Sequence, residues 1–521
     1  MDNPPASVTD HTREVSFVAS LAGIALVLRF IGLGEGDFWL DELVTYEIAK
    51  ETPAGVGEAV LARESSPHLY YLLTWAWSGI FGGDEAGLRS LSAVTGALVT
   101  PVAYLTLRQV GLRTEAFIAA ALAAVSPLLI WYSHEARVYS LFALLTAVAA
   151  LFFIRTLVDF NPRALVGWSI ASPAALLTHY FAVFTIAGMA AVLLYRHRNR
   201  WQPITLALLP TAVAGFALLP TLAGQRATER TGWIDEIPLN ERVLQLAEHF
   251  VTGLTYPPLA VVLVAAVLAA AGGVGLVIHG QRGQLVGVSL LVVGAVTIAL
   301  PLLAVAVNMD LLLSRNVLGA IVPLLLATSV GLGASRLRPF GPIVALALVC
   351  LLAGLSIAAE HDDAVERPPW GQVAEAIAEG GEPDIVVACC GFVAEPAHHY
   401  FTPYVEYGSS MGDIEVNEVV FATVRRPDHR PKDDYCWWGG VCQAAPAAVS
   451  DELSEAFAAV FDETETSTRG AIRLERYRAL TPIPLGPQTT IKLGDDDLGV
   501  DDVGVAGYDV GVFVSRRLLG E

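Results

Sequence analysis

The chain has 521 residues, of which 54% are hydrophobic and only 16% charged, and its mean hydropathy is +0.54; such a composition excludes ordinary soluble enzymes and disordered polymers. The formal net charge of −20 gives no reason to expect a nucleic-acid partner. Repeated apolar runs reach or approach the roughly 20 residues that cross about 30 Å of hydrocarbon as helix, without the alternation of an outer-membrane barrel.

The first run, residues 16–33, follows a polar start and has no small-residue cleavage site before the acids that begin at Glu35, so it reads as a retained anchor. Further spans are expected near 86–107, 115–132, 138–157, 164–180, 181–195, 203–222, 254–278, 285–307, 317–334 and 341–359, about eleven transmembrane helices in all. With a cytoplasmic amino terminus, the inner connections carry Arg108 and Arg113, Arg155 and Arg163, Arg196, Arg198 and Arg200, Arg282, then Arg336 and Arg338. The outer ones hold Glu35, Asp37, Asp41, Glu42, Glu135, Asp235, Glu236 and Asp310, the asymmetry that the positive-inside rule demands.

The first outer loop, 35–85, contains the short aromatic stretch 68–81, with Tyr70, Tyr71, Trp75 and Trp77. It is expected to lie in the outer interface as a juxtamembrane helix. The alternative, a short tilted span, would invert every later loop.

Residues 1–359 thus form a transmembrane domain, and 360–521 a soluble, extracytoplasmic one. The latter has no spanning run and holds 30 of the 52 acidic residues against 12 of the 32 basic ones, so its acidity is a solvated face. Helix-like 370–378, the apolar run 384–388 and strand-like 510–515 suggest an α/β domain. Cys436 and Cys442 are the simplest local pair for a disulfide; unpaired thiols fit the spacing equally well. Cys350 falls in the last span, and no Asn-x-Ser/Thr acceptor occurs.

Chemistry is sought where polar residues interrupt apolar sequence. The first outer loop opens with Asp37-Phe38-Trp39-Leu40-Asp41-Glu42; acids at a membrane surface can accept a proton from an attacking hydroxyl or hold a divalent cation. Asp37 reads as the merely solvated member. A later outer turn, Ser133-His134-Glu135-Ala136-Arg137-Val138-Tyr139, gathers acid, base and phenol between two apolar helices. Arg137 and Tyr139 there can face a lipid phosphate, since guanidinium offers directed donors to its oxygens; snorkelling residues at helix ends are the plainer alternative.

In order as well as type, these pieces resemble the GT-C glycosyltransferases, in the branch of protein O-mannosyltransferases and lipid A aminoarabinose transferases. Trp39-Leu40-Asp41-Glu42 follows the first span, and Ser66-Pro67-His68-Leu69-Tyr70-Tyr71, Ser133–Tyr139, Thr178-His179-Tyr180 and Ser314-Arg315-Asn316 come after it. The resemblance covers roughly 16–370. It implies a multi-pass GT-C-like helical domain that transfers sugar from a polyprenyl- or dolichyl-phosphate donor to a protein, lipid or glycan hydroxyl, with the bilayer as the other partner. Asp41 would be the catalytic aspartate, Glu42 its neighbour and Glu135 the second acid. Arg137, Tyr139 and Arg315 would engage the donor phosphate, with His179, His134 and Tyr70 lining the cavity. If a divalent cation takes part, Mg or Mn, Asp41 and Glu135 are its candidate ligands. Relatives often read Arg-Tyr where this chain has Arg315-Asn316, a change that a phosphate role survives better than a stacking role.

Other features carry less. Cys436-Trp437-Trp438-Gly439-Gly440 lacks the aspartate of an oligosaccharyltransferase signature, His398-His399 can bind metal but neighbouring loop histidines more often do not, the acids 495–497 with Asp501 and Asp502 lack the glycine and terminal glutamate of an EF-hand loop, and Gly272, Gly273 and Gly275 suit close helix packing. The rival class is a transporter or lipid flippase, which would carry ionisable residues near the midplane; here nearly every acid falls in a loop.

Overall fold

A computed structural model describes residues 8–228, 234, 237–253, 259–307 and 309–359, and from 370 onward the helices and strands named below with 381, 383–384, 399–402, 458 and 461–462. The chain divides into two compact units, Met1–Gly34 with Val44–Glu360, and Glu35–Leu43 with His361–Glu521.

The first unit is helical: α1 (Val8–Phe30), α2 (Leu40–Lys50, from its second turn), α3 (Val56–Arg63), α4 (Leu69–Phe81), α5 (Glu85–Arg108), α6 (Arg113–Val125), α7 (Pro127–Trp131), α8 (Tyr139–Val158), α9 (Pro162–Thr178), α10 (Ala182–Arg196), α11 (Trp201–Ala207), α12 (Leu209–Arg226), α13 (Leu239–Thr252), α14 (Leu259–Ile278), α15 (Gln281–Val305), α16 (Ile321–Leu332) and α17 (Phe340–Ala359). Among the described residues, α5, α8, α15 and α17 are each long and apolar enough to cross a membrane, and α11 with α12, bent by 42°, would make a fifth span. The chain is a helical membrane protein.

Several apolar runs are built as shorter or broken helices, for local reasons. The run 115–132 ends as α6 at Val125 and restarts as α7, because Ser126 is extended (φ −61, ψ 117) before Pro127, which has no N–H and disfavours helix in its predecessor. α4 spans 13 residues, about 20 Å of helix, shorter than the hydrocarbon core of a bilayer. α5 starts at Asp84, whose carboxylate accepts the Gly87 amide at 2.8 Å and so caps the helix.

The core is built mainly of α5, α6, α8, α9, α10 and α16 side chains, with Phe142, Phe153 and Trp168 wholly buried. Gly275 and Gly331 let α14 and α16 touch: a Cβ on Gly275 would lie 2.0 Å from the Gly331 carbonyl oxygen. Gly273 meets nothing within 4 Å, so only part of that glycine cluster serves packing. Arg29, fully buried at the end of α1, donates to the carbonyls of Ala25 (2.9 Å), Ala124 and Ala123 (3.1 Å each) and to Ser133 Oγ (3.1 Å).

The second unit holds a mixed sheet ordered β2 (Tyr404–Glu406), β9 (Tyr508–Ser515), β1 (Ile385–Cys389), β3 (Ile414–Val424), β5 (Ile472–Leu485), β4 (Glu463–Arg469), with β8 (Gly504–Val505) on β9. β1 runs parallel to β3, Val386 opposite Val420, and antiparallel to β9. β6 (Thr490–Leu493) and β7 (Asp496–Gly499) pair separately, and Arg516–Leu519 follows β9 as α19. Helix α18 (Trp370–Glu379) presents Trp370, Val373 and Ile377, one helical face, to Val386, Val420 and Leu474 of the sheet. Asp384 accepts the Asn417 and Glu418 amides at 2.7 and 3.2 Å where β3 bulges.

The segment Glu35–Leu43, assigned from sequence to the transmembrane domain, packs with the second unit. Asp37 Oδ2 accepts the Gly371 amide at 2.5 Å, and the Phe38 amide donates to Tyr400 Oη at 2.7 Å. Asp37 is therefore a structural acceptor and not the merely solvated acid expected. Cys436, Cys442, Trp437, Trp438, His398, Asp495, Asp501 and Asp502 lie outside the described residues. Cys350, in α17, is a free thiol.

Candidate active site

The break at Ser126–Pro127 produces the polar turn of the first unit. After α7, which is buried from Pro127 to Ile130, Tyr132, Ser133 and Glu135 follow as buried residues in a tight turn closed by Arg137 N donating to Glu135 O at 2.8 Å. Trp131 Nε1 donates to Glu135 Oε1 at 2.9 Å. Tyr139 opens α8 beside Tyr132, ring centroids 4.6 Å apart, and lies 6.1 Å from His179, which stacks on Phe142 at 4.8 Å.

Arg137 forms a buried bidentate ion pair with Glu64. Its Nη1 also reaches Thr45 Oγ1 at 3.5 Å, and its carbonyl accepts from Ser92 Oγ at 3.3 Å, which bonds Tyr70 Oη at 3.0 Å. Burial pushes the Tyr71 phenol well above its ordinary value, Glu64 adding to the effect and Arg137 opposing it, so this hydroxyl stays neutral beside the pair. Arg315, in the turn before α16, acts electrostatically on both Tyr132 and His179; Glu135 also acts on Tyr132, and Arg137 on His179.

The structure thus gathers Glu135, Arg137, Tyr139, His179 and Arg315, with Tyr70 joined through Ser92. His134 instead bonds the Leu28 carbonyl at 3.3 Å, which gives it a structural partner in α1. Asp41 and Glu42 belong to the second unit, in the first turn of α2, with Glu42 fully buried.

Sequence reasoning missed Glu64, Tyr132 and helix α13. Glu64 stands just ahead of the Ser66-Pro67-His68 segment already singled out. Leu239, Arg242, Leu246, His249 and Phe250 recur at helical spacing, the signal by which α13 could have been found. Burial pulls the His249 imidazole down to about 4, whereas the hydrogen bonds from Arg242 hold Asp310 below the usual carboxylate range. A histidine kept neutral by folding takes up a proton more readily when unfolded, so stability is expected to fall as pH drops from about 6.5 towards 4. Thermal melts across that window should show it, and His249→Asn should flatten the slope; an unchanged slope would refute the assignment.

Chemically, the cluster offers two guanidinium groups, phenols, a neutral imidazole and carboxylates in a largely buried setting, where preorganised charges act more strongly on an anion than in water. Among the described residues no group of three or more His, Cys, Asp or Glu is placed to hold a metal ion.

Fold and site together define an α-helical membrane protein with a largely buried cluster of arginines, carboxylates and aromatic side chains beside a broken helix. Residues 65–223 match the family model of dolichyl-phosphate-mannose-protein mannosyltransferases, and the chain is similar to the GT-C glycosyltransferases. No curated protein matches it in sequence. Among solved structures, it resembles the S. cerevisiae protein O-mannosyltransferase Pmt1–Pmt2 complex bound to the sugar donor (19% identity, TM-score 0.32, 40% of this chain and 34% of that one). The Archaeoglobus fulgidus oligosaccharyltransferase AglB, solved with an inhibitory peptide and a dolichol-phosphate, is 15% identical (TM-score 0.42, 72% and 59%). ArnT from Cupriavidus metallidurans is also 15% identical (TM-score 0.40, 89% and 98%). The chain therefore spans about a third of the yeast protein and 59% of the archaeal one.

Proposed function

We propose that the chain transfers a glycosyl group from a polyprenyl-phosphate sugar to a hydroxyl acceptor at the outer face of the cell membrane. The observation that carries this reading is the family match over 65–223, the stretch that contains Glu135, Arg137, Tyr139 and His179. In the proposed step Asp41 takes the proton of the acceptor hydroxyl, whose oxygen bonds to the anomeric carbon as the bond from that carbon to the phosphate oxygen breaks. Polyprenyl phosphate departs with the bonding electron pair. Arg137 and Arg315 offset the charge that gathers on the phosphate, a preorganised contribution whose single members are typically worth about 10²–10³ in rate. Glu42 and Glu135 tune the acid, and His179 with Tyr70 shapes the cavity wall. Should Mg or Mn take part, Asp41 and Glu135 are the residues that would hold it, and the cation would offset charge on the departing phosphate.

The test offers purified protein in lipid a panel of radiolabelled polyprenyl-phosphate sugars with membrane extracts as acceptors. Label on any acceptor supports the reading, whereas failure of every donor together with solute uptake in vesicles favours a transporter. The outer location rests on charge asymmetry and a cytoplasmic amino terminus. Cysteine probes in the loop 196–200 are expected to react only from the cytoplasm, and probes near Asp235 or within 360–521 only from outside; reversal at either site overturns the proposed face and orientation.

A further inference from the structure

Helix α13 joins two polar segments of the first unit. Arg242, buried on its first turn, donates from Nη1 and Nη2 to Asp310 Oδ1 and Oδ2 at 2.5 Å each, and also reaches the carbonyls of Leu312 at 3.3 Å and Ile237 at 2.9 Å. Two turns on, His249 Nδ1 is 2.8 Å from Ser314 Oγ, and Leu246 between them packs with Leu312 and Val317. Positions 242, 246 and 249 fall on one helical face. At the other end, Gly253 adopts φ +77, and a Cβ there would lie 2.7 Å from Cβ of Pro127, the residue that opens α7 and leads to Tyr132 and Glu135.

The residues so gripped flank Arg315, which sits in a turn with no helix of its own to fix it. A turn that had to order on meeting an anion would pay backbone conformational entropy, and anchoring residues 310, 312 and 314 beforehand removes that part of the cost and fixes where the Arg315 side chain starts. We infer that α13 is a clamp that presets Arg315 for an anionic ligand of the phosphate-monoester or diester class, with Arg242 and His249 as positioning residues. The inference rests on the proposed function in taking the lipid donor's phosphate as that ligand.

Binding of undecaprenyl phosphate to the full chain in nanodiscs tests it. Arg242→Ala is expected to weaken binding about tenfold, yet less than about twofold when Arg315 is already alanine, because a residue that acts through another is non-additive with it. The charge exchange Arg242→Asp with Asp310→Arg should restore affinity to within about threefold of the starting protein. Equal losses in both arginine backgrounds would overturn the clamp. Should Arg242→Ala not fold, His249→Asn is read in the same cycle with the same criterion. If the unaltered protein fails to bind undecaprenyl phosphate, the proposed function fails while the clamp is read separately by hydrogen exchange. Faster exchange of amides 311–317 in either variant supports it, and unchanged exchange refutes it.

Discussion

Asp41→Asn is expected to insert normally, bind the lipid donor and lose nearly all transfer, by about 10²–10⁴ if the carboxylate is the general base. The substitution keeps shape and removes charge. Asp41 stands in the first turn of α2, where the helix dipole favours a negative group by only about 0.3–1 kcal/mol, so neutralising it costs little in folding while removing the proposed proton acceptor. Glu135→Gln should be impaired as well, and Glu42→Gln less so. Asp37→Asn is a poor control, since Asp37 accepts the Gly371 amide; exposed Glu58, changed to glutamine, serves instead. Full activity of Asp41→Asn in the donor assay would remove the acidic pair from the mechanism.

Arg137→Ala is expected to fail for two separable reasons. The Glu64 carboxylate, 3% exposed, would be left buried without its partner, a change that typically costs about 3–5 kcal/mol. Removing the guanidinium also takes away the donor proposed for the lipid phosphate, which is charged before and after the bond breaks. Glu64→Gln combined with Arg137→Gln separates the effects: neutralising both members should recover most of the lost stability, measured by thermal melting in detergent, without restoring donor binding. Recovery of transfer in that double variant would show that Arg137 serves the fold alone.

The helical class was legible because apolar runs of span length need no knowledge of partners, and Glu135, Arg137 and Tyr139 stood out because polar residues between apolar helices are costly. What escaped depended on geometry that periodicity does not encode. The run 115–132 is continuous in hydropathy, yet the proline at 127 splits it, and that split creates the turn on which Glu135 and Arg137 sit. Glu64 is an unremarkable acid in the sequence; only folding sets it against Arg137. Helix α13 is amphipathic and too polar to register as a span, although its repeat of Leu239, Arg242, Leu246 and His249 was there to be read. Asp37 and Phe38 are separated from Gly371 and Tyr400 by more than three hundred residues, a distance over which a single sequence offers no pairing signal.

The buried Arg29 also bears on how the chain enters the bilayer. Its acceptors other than Ala25 all come from the segment at Ala123, Ala124 and Ser133, nearly one hundred residues later. Two of them are carbonyls at the end of α6, where helix termination leaves backbone oxygens free of intrahelical partners. At about 5–20 residues per second of synthesis, α1 waits on the order of 5–20 seconds for the groups that satisfy its arginine. During biogenesis the side chain must therefore reach for headgroups or lean on the insertion machinery, and a fragment that stops before α6 should be held less firmly than its hydropathy alone implies.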